Sequence, residues 1–449
     1  MRGSVLMLLV AGATLVVGGS RPVPASVRSG EAGMRPEVAA DTSDPVARLE
    51  DRIAAGEHAL AWDSAQGYLK SLLASLDIPE SSQTLVFSRT SLQTDRIAPW
   101  APRALYFNDD VYIGWVQESP IIEIASVDPD LGVLFYTLEQ KREGPPTFTR
   151  ETTTCLICHE SRSVTGGIPG LMVRSVLTDR LGYPITEVHE GATTDRTPLE
   201  ERWGGWYLTG SHPTMAHAGN VMSEDLFHEV SQKGRYLEEF AFRTDSGVPE
   251  LSDRFYVEPY LTPHSDLVAI MVLTHQTQVH NLISLVKSEA EAALRLEEIA
   301  IRSRGDEAGT PPFPTTLARI VGPVERLLET MLFKREAPLA GPMRGSSSFT
   351  ADFEALGPRD ASGRSLREFD LERRLFRYPL SFLVYSEAFD ALPELARTIF
   401  AARLVEVLTG ADTSDDFAHL DEADRAAILA ILRDTRPELI ELADADPRR

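Results

Sequence analysis

The chain contains only two cysteines, and both stand in the run Cys155-Leu156-Ile157-Cys158-His159. C-x-x-C-H is the pattern of covalent c-type haem attachment. Two thiols one helical turn apart can add to the two vinyl groups on one porphyrin edge, and the adjoining imidazole then reaches the iron from the proximal side. With 10 histidines in 449 residues, a His follows the second Cys by chance in about 2% of cases, so the signal is specific. Three other chemistries use paired cysteines. A redox dithiol needs C-x-x-C but expects a βαβ context and has no use for the His. A zinc site could join the thiolates to His212 and His217, whose separation suits Cys2His2, across an intervening stretch of about fifty residues. A disulfide between cysteines three apart is strained. Haem c is the reading the pattern favours, and a zinc-stabilised binding module is the non-redox alternative.

The motif resembles that of exported c-type cytochromes, and the text around it is similar to a group of large bacterial proteins carrying a single cytochrome c signature. The stretches that carry this are SSQTLVFSRTS, APRALYFNDDVYIGW, TCLICHESR with the following GGIPG, ERWGGWYLTGSH, YLTPHSDLVAIMVLTHQTQVHN and FRYPLSFLVYSEAFDALP, within residues 60 to 436. The resemblance implies one covalent haem c, with Cys155 and Cys158 as thioether sites and His159 as an axial ligand. Hundreds of residues surround the attachment segment, far more than a small cytochrome has.

Redox behaviour depends on what stands opposite His159. A Met ligand raises the potential, whereas an open position admits oxygen or peroxide chemistry. Met215, Met222, His212 and His217 lie downstream in one stretch. On an ideal helix His264, Met271, His275 and Leu282 fall within about 20° of one another, with His280 on the other side. The distal candidates are therefore His217, Met215 and His275, each with a plain alternative as a packed residue. Trp203-Gly204-Gly205-Trp206-Tyr207 either walls a porphyrin pocket or packs a core. Arg162, Arg174 and Arg180 flank the motif and could pair with haem propionates.

The elements that must position these residues follow from periodicity and punctuation. Residues 1–25 have the three-part pattern of a secretory signal: Arg2, the apolar run Val5 to Val17, then small residues. That run is too short to span a bilayer, so a cleaved signal, export to the periplasm or beyond, and no stable membrane insertion are expected, with an uncleaved N-terminal anchor as the alternative. Residues 26–44 read as a flexible lead-in, and Pro45 to Leu76 has helical spacing that Pro79 stops. Within the strand-rich region 45–150, runs at Leu85–Phe87, Ala104–Phe107, Val111–Val116, Ile121–Val127 and Val133–Leu138 are separated by turn clusters, which predicts an antiparallel meander. The haem-binding segment occupies 151–225, with a strand at about Leu171 to Leu177. The region 226–449 is mainly helical: one long helix from Thr262-Pro263 to about Arg304, a surface loop over 337–363, and helices at 364–376, 392–409 and 420–434. The expected fold class is α+β, a strand-rich half and a helical half around the motif.

Sixty-seven acidic against 44 basic side chains leave a net charge of −23, which opposes binding to nucleic acid or anionic lipid. The acidic group Asp412, Asp415, Asp416, Asp421, Glu422 and Asp424 reads as a solvated face or as a docking surface for a basic redox partner protein. The sequence thus points to an extracytoplasmic haem c protein passing single electrons, with a haem-dependent peroxidase or oxygenase as the alternative.

Overall fold

A computed structural model describes residues 42–186, 190–213, 215–222, 247–305, 310–446 and 448. The proposed signal at 1–25 and most of the lead-in lie outside the described residues, as does part of the stretch following Met222. The meander is present: β1 (Thr84–Val86), β2 (Arg103–Phe107), β3 (Val111–Trp115), β4 (Ile121–Asp128), β5 (Gly132–Glu139) and β6 (Phe148–Arg150). Every pair is antiparallel, and β9 (Trp206–Tyr207) closes the far edge in the order β6-β5-β4-β3-β2-β1-β9. Between β6 and β9 come α3 (Leu156–His159), which holds the motif, and the two-stranded ribbon β7 (Arg174–Val176) and β8 (Glu190–Ala192).

Alternation along these strands builds two cores. Ala104, Tyr106, Ile113, Trp115, Ile122, Ile124, Tyr136 and Leu138 face α1 (Pro45–Ala54) and α2 (Leu69–Ser75). Phe107, Tyr112, Ala125, Val127, Val133 and Phe135 point the other way, into the helical half. Because a strand's side chains switch face at every residue, one sheet serves both layers. Asp44 caps α1, accepting from Val46 N at 3.0 Å, and its other oxygen accepts from Tyr136 Oη at 2.7 Å, which ties that helix to β5.

After the short strands β10 (Gly210–Ser211) and β11 (Gly247–Val248) comes α4 (Leu267–Arg304), 38 residues and about 57 Å long. Most of its first half is buried on every side. It lies against the sheet, α5 (Pro314–Met331) and α8 (Glu394–Leu408). The remaining elements are β12 (Arg344–Gly345), α6 (Phe349–Ala355), α7 (Glu387–Asp390), α9 (Glu422–Thr435) and α10 (Pro437–Leu442). The chain is therefore α+β, as expected. No helix among the described residues is long and apolar enough to cross a membrane.

Four expectations need correction. The stretch Pro45 to Leu76 forms two helices, because the chain turns at Gly56 and Gly67, both at positive φ. The long helix begins at Leu267, not at Thr262-Pro263, because Asp266 supplies the cap; His264 therefore lies outside it and leaves the stripe of Met271 and His275. Residues 337–363 are not simply a surface loop: they contain α6, whose Phe349 and Phe353 are buried among other phenylalanines. No helix forms over 364–376. There the Asp370 carboxylate accepts from Glu372 N and Arg373 N, Leu371 takes φ 56°, and Phe369 bridges back to Phe376. A side chain that binds the backbone locally competes with helical pairing.

Asp266 is fully buried and has unusual reach. One oxygen accepts from Val268 N (2.8 Å) and Ala269 N (3.1 Å), and the other from Ser346 N, Ser347 N and Ser347 Oγ at 2.8 Å each. Asp266→Ala should therefore cost about 3 kcal/mol, a cap plus buried donors left unmet, and Asp266→Asn less. Urea unfolding monitored by far-UV circular dichroism measures both; equal stability of Asp266→Ala and wild type would show that the cap is not what starts the helix.

Candidate functional site

β6 delivers the chain to Cys155, which precedes the single turn of α3. Cys158 N and His159 N both donate to Cys155 O, at 3.3 and 3.0 Å, so the two thiols share one helical turn. Cys155 is half-buried against the helical-half core, Cys158 is exposed, and Ile157 between them is 82% exposed. His159 is held from two sides. Its Nδ1 lies 2.9 Å from Gly170 O while Gly170 N donates to His159 O at 2.8 Å, and its ring stands 4.7 Å from that of Phe135 on β5. A carbonyl can only accept, so Nδ1 carries the proton and Nε2 keeps its lone pair. Nε2 has no hydrogen-bond partner among the described residues. This is the arrangement by which a metal-binding imidazole is fixed in tautomer and orientation.

Electrostatics agree with that role. Burial holds His159 below the usual histidine range, with Arg103 adding to the effect against the opposing Gly170 bond and Glu123 charge, so the ring is neutral at pH 7. The Cys155 thiol is pushed up to about 11, first by burial and then by Glu151 and Glu123. Arg103 on β2 pairs with Glu123 on β4 by passing over Gly114 on β3, where any side chain would meet its guanidinium. The motif thus lies near a salt bridge laid across the sheet.

What holds the Gly170 carbonyl in place comes from α4. Asn281 Oδ1 accepts from Leu171 N and its Nδ2 donates to Leu171 O, both at 2.7 Å. A Cβ at Gly170 would sit 2.5 Å from Asn281 Oδ1, so only glycine fits. The turn before it is fixed by Thr165, whose Oγ1 accepts from Ser161 N (3.1 Å) and reaches Ile168 O (2.6 Å). Sequence reasoning missed Asn281, Phe135 and Thr165. The available signal was the polar run from His275 to Asn281 inside an apolar helix, where a polar side chain must find a partner.

The other candidates fall as follows. His275 is fully buried, with Nδ1 2.8 Å from Asp195 Oδ2 and Nε2 2.8 Å from Ser381 Oγ. This order of groups is that of a hydrolytic triad. Yet Ser381 is fully buried, the Phe333 ring stacks on His275 at 4.2 Å, and Phe382 closes on it as well, so no path leads a substrate to the hydroxyl. The cluster is a buried joint between segments. His217 Nε2 faces His212 Nε2 at 3.0 Å, and Gly219 N donates to His217 Nδ1, which places the His217 proton on Nε2. Burial and His212 push His217 down to about 3. Met215 is buried in the core of the helical half. Among the described residues no three His, Cys, Asp or Glu side chains form a metal-binding group, so the cysteines do not join His212 and His217 in one cluster.

Arg174 pairs with Glu190 across the β7–β8 ribbon, Arg162 lines a cavity beside the motif, and Arg180 is exposed. Trp203, Trp206 and Tyr207 are buried, and a Cβ at Gly205, which has φ 81°, would stand 2.6 Å from Ser88 Cβ; this run packs protein against protein. In the acidic group, Asp412 pairs with Arg403, Asp416 with Lys334 and Asp424 with Arg374, while Asp421 caps α9. Half of that charge is spent internally. No family model matches the chain, and neither curated proteins nor solved structures give a match.

Two outcomes are expected. In haem-free protein a maleimide at pH 8 should label exposed Cys158 well before Cys155, about 0.1% of which is thiolate at that pH; peptide mapping showing Cys155 labelled first would contradict the geometry. Glu336, beside Asp195, is pushed up to about 8, chiefly by burial and then by Asp195. Its folded state keeps a proton that the unfolded chain releases near 4.5, so its contribution is fully present below pH 4.5 and is lost as pH rises through 8. The stability of Glu336→Gln relative to wild type should therefore grow from pH 5 to pH 8 in urea titrations; a constant difference would refute a protonated Glu336.

Proposed function

We propose that the chain is an extracytoplasmic c-type haem protein that passes single electrons through one covalent haem. The observation that carries this is the His159 imidazole: neutral, fixed through Nδ1 by the Gly170 carbonyl, and presenting an unpartnered Nε2 in the same turn as one half-buried and one exposed thiol. In this reading Cys155 and Cys158 form the thioethers and His159 is the proximal ligand. When bound, the haem supplies a one-electron iron couple. The protein's share is to hold the ring through Gly170 and Asn281 and to keep it neutral by burial. Exposed Cys158 and Ile157 put the attachment edge at the surface, within reach of a partner protein. Export fits the composition, since maturation and use of haem c belong outside the cytosol in the proteins this motif resembles.

A second reading, a haem-dependent oxidoreductase with an open distal position, is favoured by one observation. Both His275 nitrogens are engaged, His217 Nε2 is turned on His212, and Met215 is packed in the core, so none of the three offers a free donor as it stands.

Protein produced with a c-type maturation system should keep its pigment through acid–acetone extraction and give a c-type pyridine haemochrome, and replacing both Cys155 and Cys158 with Ala should release it. Stoichiometric zinc with no haem absorbance would end the reading. The ferrous protein should resist carbon monoxide at neutral pH if it is a carrier; fast binding with turnover of peroxide and an electron donor would establish the oxidoreductase instead.

A further inference from the structure

Beside the motif lies a cavity of about 250 Å³ whose walls come from the 162–166 turn, the chain entering β7, the chain leaving β8, and one face of α4. Its chemistry differs from that of the molecule around it. In a chain of net charge −23, none of the lining residues is Asp or Glu, and two are arginines, Arg162 and Arg326. Neither guanidinium has a hydrogen bond or ion pair among the described residues, although most arginines of the helical half are paired. Thr193 on the wall is 3% exposed, and its hydroxyl is buried with no partner. Leu171, Leu282 and Leu285 supply an apolar floor.

Each feature points to the same kind of occupant. Unpaired guanidiniums present forks that suit a carboxylate. The apolar floor takes a hydrocarbon body, and the volume sits at the low end for ligand pockets, so that body is short. We propose that this cavity is a carboxylate-binding site for a small organic acid: the two arginines take the carboxylate at the mouth, and the leucines hold the chain. The inference stands on the cavity and not on the haem reading. A haem propionate presents the same carboxylate on a short apolar arm, so the haem itself is one source of the group and a diffusible acid is the other.

Butyrate is the probe and butyramide its neutral control, titrated calorimetrically at low salt into the mature chain in two forms, haem-loaded and haem-free (Cys155→Ala with Cys158→Ala). Haem content is read separately by haemochrome, so failure of the haem proposal stays distinguishable. The site predicts that butyrate binds at least about tenfold more tightly than butyramide and that R162Q combined with R326Q removes this preference. Those arginines are exposed, so the fold should survive. Butyrate binding by both forms identifies a diffusible acid, and binding confined to the haem-free form identifies a propionate; either upholds a carboxylate site. Equal binding of butyrate and butyramide, no effect of the double arginine variant, or no butyrate binding by either form overturns it.

Discussion

The position of the motif rests on one pair of hydrogen bonds, those between the Asn281 side chain and the Leu171 peptide. A one-turn helix cannot hold its own orientation, because a single turn fixes several dihedrals for very few hydrogen bonds. α3 has four residues and no side-chain cap. Its ring is aimed from outside, by the Gly170 carbonyl, and that carbonyl is aimed in turn by Asn281 on α4. The sequence separation of 110 residues between Asn281 and Leu171 means that the helical half must be folded before His159 has a fixed direction.

α4 can serve as such a reference because it is itself over-determined. A helix buried on every side must still satisfy its polar side chains, and here several of them reach segments far away in the chain. Gln276 donates to Asn108 O and Tyr112 Oη on the sheet side, His280 bonds to Asp109 O, and His275 joins Asp195 to Ser381. Lys287 Nζ donates to Pro129 O, Asp130 and Ala391 O, and Glu297 accepts from Phe313 N and Thr316 Oγ1 at the start of α5. Such contacts are individually modest, yet each is costly to break because it leaves a buried partner unmet. The sheet, the motif segment and the C-terminal helices are thereby registered against one rod.

The legible parts of the sequence were those governed by local rules. The five meander strands follow from runs of β-branched and aromatic residues between turn clusters, and α8 and α9 follow from apolar spacing. That the two faces of one sheet bury separate cores was not read from the sequence, although odd and even residues of β4 and β5 are apolar alike. The failures lie where a side chain rewires the backbone or a distant residue decides. The helix proposed over 364–376 lost to Asp370, and the start of α4 was set by an Asp whose second oxygen binds a loop eighty residues away. At the site, the C-x-x-C-H spacing was legible because it is local, and the structure puts both cysteines and His159 in one turn. Asn281, Phe135 and Thr165 were not, because a contact across the fold leaves no spacing to read.

The distal candidates differ in what it would cost to free a donor atom, and the costs can be ordered. Moving His275 would strand the Asp195 carboxyl and the Ser381 hydroxyl in an interior lined by phenylalanines, a loss of about 3–5 kcal/mol for a buried pair broken from one side. Withdrawing Met215, 3% exposed in the core, empties a space its neighbours would have to fill, at about 2–5 kcal/mol. Turning His217 from His212 gives up the bond between the two imidazoles and the Gly219 N bond to Nδ1, about 1 kcal/mol each. His217 is thus the cheapest of the three to release, and it comes from the segment that follows the buried Trp203 to Tyr207 run. In this fold the proximal side is held rigidly by Gly170 and Asn281. Under the proposed haem reading, a distal ligand would be recruited by rearrangement, and the energy of the His217 contacts would decide between a closed iron and an open one.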